Sequence, residues 1–266
     1  MKILVIGGSG IIGTGIVEAA AGAGHEVVAL SRQKTIIQKD FPNVRRIRAD
    51  WSDINSAKAI INEGGGYDVV VDGLVFTRKQ LVRDLEIAGR HCAQFVYIST
   101  AGVYEQPHHN AAEDAPKRLE KLKWSYSYNK RDAEIFVEQN ADKYPCGITV
   151  IRPPYTYGRT RIPVAVVGRF NQYTLIDRIL KHKPIVFIDD GHHPRSITHI
   201  STFSEAVAGT FMKRGAIGQA YHVSDDVSYT WEDVVNTVGE IVGVRPEIVH
   251  VPVSCSRVTA PASMTK

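Results

Sequence analysis

The sequence predicts an α/β protein, a doubly wound parallel sheet with a smaller C-terminal lobe. Three observations carry that expectation. Short β-rich runs, mostly continuous and apolar rather than alternating, take turns with helical stretches, the order that gives a parallel sheet covered on both faces. A glycine loop, "VIGGSGIIG", follows the first of these runs directly. Beyond about residue 155 the pattern is broken by Pro and Gly, which sets off a second lobe.

In chain order, strands are expected at "KILVIG" (2–7), "EVVAL" (26–30), "VRRIRAD" (44–50), "DVVVDG" (68–73), "FVYIS" (95–99), "GITVIRP" (147–153) and, later, "QAYHVS" (219–224). Helices are expected at 11–23, 55–62, 78–91, 125–140 and 202–213. In such a sheet ligands bind outside the carboxyl ends of the strands. Those ends read as the glycine loop, "SRQ", "DWSD", "DGLVF", "STAGVY" and "RPPYTYG", so polar or special residues collect at nearly every one. The expected division is a dinucleotide-binding domain over 1–154, with 200–224 returning to the sheet, and a substrate-binding lobe over 155–199 and 225–266.

Composition narrows the class. The 266 residues are 44% apolar and 23% charged, as in an ordinary soluble globular protein. The net charge of +4 is dispersed, with no basic run long enough to read as a nucleic-acid arm. Three cysteines without C-x-x-C spacing argue against a disulfide framework and a zinc site, so a cytoplasmic setting is expected. No apolar run approaches a membrane span, and "MKILVIGG" is too short and too glycine-interrupted for a signal peptide. His108-His109 and His192-His193 lack the helical spacing and carboxylate of a zinc site and read as loop histidines, so no metal is expected. Trp51, Trp124 and Trp231 read as packing residues more than as stacking platforms.

Gly7-x-x-Gly10-x-x-Gly13 lies inside a complete β-α-β unit. That context lets backbone approach a pyrophosphate at a helix N-terminus. Cofactor contacts are therefore expected from Gly7, Ser9, Gly10, Ile11, Ile12 and Gly13, with Ser9 adding a hydroxyl. The second strand ends in Ser31 and Arg32, where an acidic residue would hold the ribose 2′-OH of NAD. Arg32 can instead pair with the 2′-phosphate of NADP, which is modestly favoured over NAD, or stack on adenine, or lie in solvent. Asp50 is placed to accept from the adenine amino group, or to act as an ordinary loop or N-cap Asp. Trp51 beside it is included in the expected cofactor wall.

"WSYSYNK" (124–130) holds the candidate chemistry. Tyr126 and Lys130 are four apart and share a helix face, whereas Tyr128 points elsewhere. A nearby ammonium favours phenolate and makes Tyr126 a usable acid/base. Thr100 ends the fifth strand, where its hydroxyl can hold the same substrate oxygen.

The glycine loop, "YISTAGVY", Tyr126-x-x-x-Lys130 and "IRPPYTYG" occur in this order at suitable distances. The chain resembles the extended short-chain dehydrogenase/reductases, in the NAD-dependent epimerase/dehydratase family of nucleotide-sugar enzymes, over residues 1 to about 250. The resemblance implies a Rossmann-type sheet, a catalytic triad of Thr100, Tyr126 and Lys130, cofactor contacts that include Tyr126, Lys130 and Pro153, and a C-terminal lobe binding the nucleotide of a sugar. It also implies a homodimer through a helix pair containing 125–140. "PRSITHISTFSEAVAG" resembles the segment in which an Arg contacts the substrate diphosphate, which makes Arg195 a substrate-binding candidate alongside Thr100. Where the family's 4,6-dehydratases carry Asp-Glu after the catalytic Thr, this chain has Ala101 and Gly102, and decarboxylating members carry Glu where Gly102 stands. What remains is 4-epimerisation by transient hydride transfer. The alternatives are an NADP-dependent ketoreductase and a non-enzymatic dinucleotide- or RNA-binding relative. No nucleic-acid or membrane partner is expected.

Overall fold

The structure, a computed structural model, describes residues 1–32, 40–105, 111–118, 125–163, 173–188 and 190–252. The chain divides into two compact units, Met1–Thr160 with Thr198–Asp225, and Arg161–Ile197 with Asp226–Lys266.

In chain order the first unit contains β1 (Lys2–Ile6), α1 (Ile11–Gly22), β2 (Glu26–Ser31), β3 (Val44–Arg48), α2 (Ile54–Gly64), β4 (Tyr67–Asp72), α3 (Arg78–Ala88), β5 (Cys92–Ile98), α4 (Ser125–Asn140), β6 (Gly147–Arg152) and β7 (Tyr155–Tyr157). The chain continues through α5 (Tyr173–Leu180), β8 (Ile185–Ile188), β9 (Arg195–His199), α6 (Ile200–Gly209), β10 (Ala220–His222), β11 (Ser228–Tyr229), α7 (Trp231–Val242) and β12 (Ile248–Val251). Of these, α6 and β10 return to the first unit.

The main sheet is seven-stranded, in the order β10-β6-β5-β4-β1-β2-β3. Every adjacent pair is parallel. It is the Rossmann-type sheet that the sequence predicts. The strand order reverses between β1 and β4, the point at which such sheets open a crevice beyond the strand ends. The middles of strands such as KILVI and YDVVVD are apolar on consecutive positions because both faces are covered. On one face Leu4, Ile6, Val70, Phe95 and Tyr97 pack under α2, α3 and α4 residues including Ile61, Leu85 and Val137. On the other, Ile3, Val5, Val69 and Val96 pack against Ile16 and Val17 of α1 and Phe203 and Val207 of α6.

Local chemistry sets the helix starts. Asp53 caps α2 by accepting from Asn55 N, and Thr77 caps α3 by accepting from Gln80 N. Helices expected at 78–91 and 202–213 are observed at Arg78–Ala88 and Ile200–Gly209, and the late strand is shorter than expected.

The second unit has its own small core, in which Leu175 and Ile179 of α5, Ile185 and Phe187 of β8 and Val235 of α7 meet. β8 pairs with β12 in parallel, and β9 pairs with β11 in antiparallel fashion. Thr230 and Asp233 close a reciprocal capping box at the start of α7.

Candidate active site

The glycine loop turns where β1 meets α1. Gly7 has φ +87°, a conformation glycine adopts without strain, and Gly7 N and Gly8 N both donate to Leu30 O. Gly13 lies against this turn, and a Cβ there would stand 2.1 Å from Gly7 O. Gly10 is the N-cap of α1, has no side-chain cap, and no acid follows in the first turn. The helix therefore presents its first N–H groups and positive dipole end to whatever occupies the crevice. That arrangement suits a dinucleotide pyrophosphate.

A cavity of about 520 Å3 opens beside this loop. Gly7, Ser9, Gly10, Ser31, Arg32, Asp50 and Trp51 line it, seven of the residues expected on the cofactor side. Asp50 is exposed, and its Oδ1 accepts from Ser52 N at 2.9 Å and Ser52 Oγ at 2.7 Å. These bonds, helped by Arg32 and Arg83 nearby, hold its carboxyl below the ordinary range. The cap of α2 is Asp53, not Asp50. Trp51 lines the cavity, yet its indole is buried and donates to Asp84 Oδ1 at 2.9 Å, so it is wall rather than a stacking platform. Ile11 and Ile12 open α1, half-buried, and Pro153 is buried with its carbonyl accepting from Ala101 N.

Sequence reasoning missed further lining residues, Leu74 and Phe76 after β4 and Gln80 and Arg83 on α3. Only "DGLVF" at a strand end hinted at them, because Leu74 and Phe76 carry no chemical signature and Gln80 and Arg83 stand in no motif.

Thr100, Tyr126 and Lys130 sit beyond β5 and on α4. Thr100 Oγ1 accepts from Gly102 N at 3.2 Å, which orients its hydroxyl across the turn that follows β5. Tyr126 is 37% exposed, although Lys130, one turn on, is buried. Lys130 Nζ donates to Val75 O at 2.5 Å and Ile98 O at 2.7 Å. Three rings enclose the ammonium, with centroids at 5.2 Å (Phe76), 5.2 Å (Tyr97) and 5.8 Å (Tyr126). Burial pulls its pKa down to about 8, against the opposing pull of Asp72 and Glu134. Phe76 joins the two regions: it lines the cavity and lies 6.3 Å, ring to ring, from Tyr126.

Beneath Thr100 a buried network fixes the strand ends. Glu134, one turn beyond Lys130, accepts from Ser99 Oγ at 2.6 Å and takes Arg152 as a two-pronged partner at 3.0 Å on each oxygen. Arg152 also donates to Tyr104 Oη at 2.8 Å. A Cβ at Gly102 would lie 2.7 Å from Ser127 Oγ, so any larger side chain there displaces Ser127.

Arg195 is exposed on β9, in the second unit. His192 and His193 precede it in an exposed loop, whereas His108, His109 and Trp124 lie outside the described residues. Among the described residues no group of three or more His, Cys, Asp or Glu gathers as a metal site, and no helix is long and apolar enough to cross a membrane. Cys92 and Cys146 are free thiols, and Cys255 lies outside the described residues.

The NAD dependent epimerase/dehydratase family model matches residues 3–73 and 79–223, and the chain belongs to that family. Among individual proteins, it is 24% identical over 268 residues to the chloroplast stem-loop binding protein of 41 kDa b from Arabidopsis thaliana, covering 94% of this chain. The chain spans 65% and 52% of the length of the first two curated relatives it matches. Among solved structures it resembles the epimerase Mth375 from Methanothermobacter thermautotrophicus (TM-score 0.78, 19% identity, 94% of this chain and 80% of that one). It also resembles UDP-glucose 4-epimerase from Thermus thermophilus in complex with NAD (TM-score 0.72, 22% identity, 95% and 86%).

Proposed function

We propose that the chain is an NAD(P)-dependent enzyme acting on a nucleotide sugar by 4-epimerisation, with Thr100, Tyr126 and Lys130 as its catalytic residues. The observation that carries this reading is the buried ammonium of Lys130 one turn from the exposed phenol of Tyr126, with Phe76 linking both to the cavity. The similar UDP-glucose 4-epimerase from Thermus thermophilus was determined with NAD, which supports the cofactor class.

A bound nicotinamide ring supplies the hydride acceptor and, later, the donor. Tyr126 takes the proton from the sugar hydroxyl as the carbonyl forms and returns it afterwards. Thr100 donates to the same oxygen. Lys130, with two of its donors committed to carbonyls, keeps one for the nicotinamide ribose, and its charge favours phenolate at Tyr126. Gly102 leaves no acid for eliminating water or for assisting decarboxylation, which supports epimerisation or simple ketone reduction. The remaining assignments of this reading are Arg195 on the substrate diphosphate and a homodimer through helices that include α4.

Arg32 at the end of β2 favours a second reading, an NADP-dependent ketoreductase. Retention of cofactor separates the two. An epimerase regenerates its cofactor, so denaturing the purified protein should release close to one equivalent of nicotinamide dinucleotide. A protein that emerges empty and oxidises NADPH with a ketone is the reductase. In either case Tyr126→Phe should lower turnover at least about a hundredfold and leave cofactor affinity within about twofold. Full activity in that variant removes Tyr126 from the mechanism. Binding of a stem-loop RNA with no turnover of any nucleotide sugar or ketone would replace the enzyme reading by the function named for the Arabidopsis relative.

A further inference from the structure

We propose that Arg83 is a specificity-determining residue of the cofactor cavity, held in place by the buried carboxylate of Asp84, and that with Arg32 it binds the 2′-phosphate of NADP(H). The proposal rests on the dinucleotide reading above and deepens it, since that reading uses Arg32 alone.

Arg83 projects from α3 into the wall that also contains Ser31, Arg32 and Asp50. Its guanidinium is fixed from behind: Nε at 2.7 Å and Nη2 at 2.6 Å both reach Asp84 Oδ1. The same oxygen accepts the Trp51 indole N–H at 2.9 Å. Asp84 does not use Nη1, the remaining prong of the fork. The side chain is 24% exposed, so it is partly open to a ligand while its position is set by a carboxylate that is only 1% exposed.

A buried carboxylate is expensive unless paired, and this one is paired twice over. Asp72, fully buried at the end of β4, lies against Asp84. Burial drives the Asp72 carboxyl well above the usual range, and the charge of Asp84 adds to this. Each carboxyl has an Oδ2 that no other group bonds. One proton on Asp72, donated to Asp84, satisfies both, and the pair then carries a single charge facing Arg83. An arginine meant only for the surface needs no such anchor. An arginine that must meet a ligand in one geometry does.

The cavity chemistry fits a phosphate ester. Arg32 and Arg83 line the same cavity, and the charge of each adds to the Ser52 bonds in holding the Asp50 carboxyl low. β2 ends in Ser31 with Arg32 next, so the position at which an acid would hold a 2′-hydroxyl carries a cation instead. A 2′-phosphate offers three acceptor oxygens to two planar cations approaching from β2 and from α3.

The test is direct binding, measured calorimetrically with 2′,5′-ADP and 5′-ADP and by fluorescence with NADPH and NADH, on the whole chain. Wild type should bind 2′,5′-ADP at least about tenfold more tightly than 5′-ADP. Arg83→Gln should weaken 2′,5′-ADP and NADPH about tenfold while NADH and 5′-ADP change less than about twofold. Asp84→Asn should shift the same split in the same direction. A purely structural Asp84 would weaken all four ligands together and overturn its positioning role. Should Asp84→Asn fail to fold, Arg83→Gln carries the test. Equal losses for both ligand pairs in Arg83→Gln, or a wild type that prefers NADH, overturn the proposal and leave the dinucleotide reading standing. A wild type that binds none of the four overturns both.

Discussion

At Lys130 three rings and two carbonyls surround one ammonium, and water is excluded. Burial lowers its pKa from the ordinary 10.5 to about 8. Below pH 8 both the folded and the unfolded chain hold this proton, and the folded state bears the full penalty of the buried charge, on the order of 3 kcal/mol. From pH 8 to 10.5 the folded chain gives up the proton first, so this group's contribution to stability rises with pH across that window. In Lys130→Met the rise is absent. Urea unfolding at pH 7 and pH 10.5 should therefore shift the difference between wild type and variant in favour of wild type by up to about 3 kcal/mol. A difference that does not change with pH would mean that the ammonium is not buried as described. The Tyr126–Lys130 pairing was legible as a four-residue spacing, but its electrostatics were not. The ring cage draws on Phe76, from the β4–α3 segment, and Tyr97, from β5, and no local pattern links those positions to α4. Trp51 shows the same limit: its place at a strand end was legible, and the inward turn of its indole depends on Asp84, 33 residues away.

Among the elements, the first unit was readable because most of its strands are short, largely apolar runs and each helix fills the gap between two strands; β3, VRRIR, is the exception in composition. The second unit was not resolved into elements. β8 alternates buried and exposed residues over only four positions, and β11 is two residues long, too short for a period to show. The start of α7, Thr230 followed three residues on by Asp233, carried a capping signal that went unread. The β1–α1 junction gives the sharpest test at this scale. A Cβ at Gly13 meets Gly7 O at 2.1 Å, Gly7 C at 2.8 Å and Gly8 Cα at 2.9 Å, all of them backbone, so the loop itself must move. Gly13→Ala should cost about 1–3 kcal/mol of stability and weaken dinucleotide binding at least about a hundredfold. Gly22, at the end of the same helix, has nothing within 4 Å of its Cβ position. Gly22→Ala should leave binding unchanged and raise stability by up to about 1 kcal/mol. If both variants bind alike, close packing at Gly13 does not shape the cofactor loop.

For the molecule as a whole, the strand order places the cavity at the one point of the sheet where the winding reverses, and every residue lining it belongs to the first unit. Alternation of strands and helices in the sequence indicated such a crevice, but the lining from Leu74 to Arg83 came from a segment that no motif marks. A ligand that binds only the folded first unit stabilises it by RT ln(1 + [L]/Kd), about 2.7 kcal/mol at a hundred times Kd. Amides of β1, β4 and β5, at the centre of the sheet, exchange only when that unit opens. Their hydrogen exchange should therefore slow about a hundredfold with NADPH at that concentration. Residues of the glycine loop and the first turn of α1 should show protection at lower occupancy, because a pyrophosphate bound as proposed would engage their N–H groups directly. In Arg83→Gln, NADPH at the same total concentration should protect the same β1 amides about tenfold less, since the slowing tracks affinity. NADPH that slowed exchange in α5, β8 and α7 and left β1 and α1 untouched would place the cofactor away from the winding reversal, and the site described here would not be the one in use.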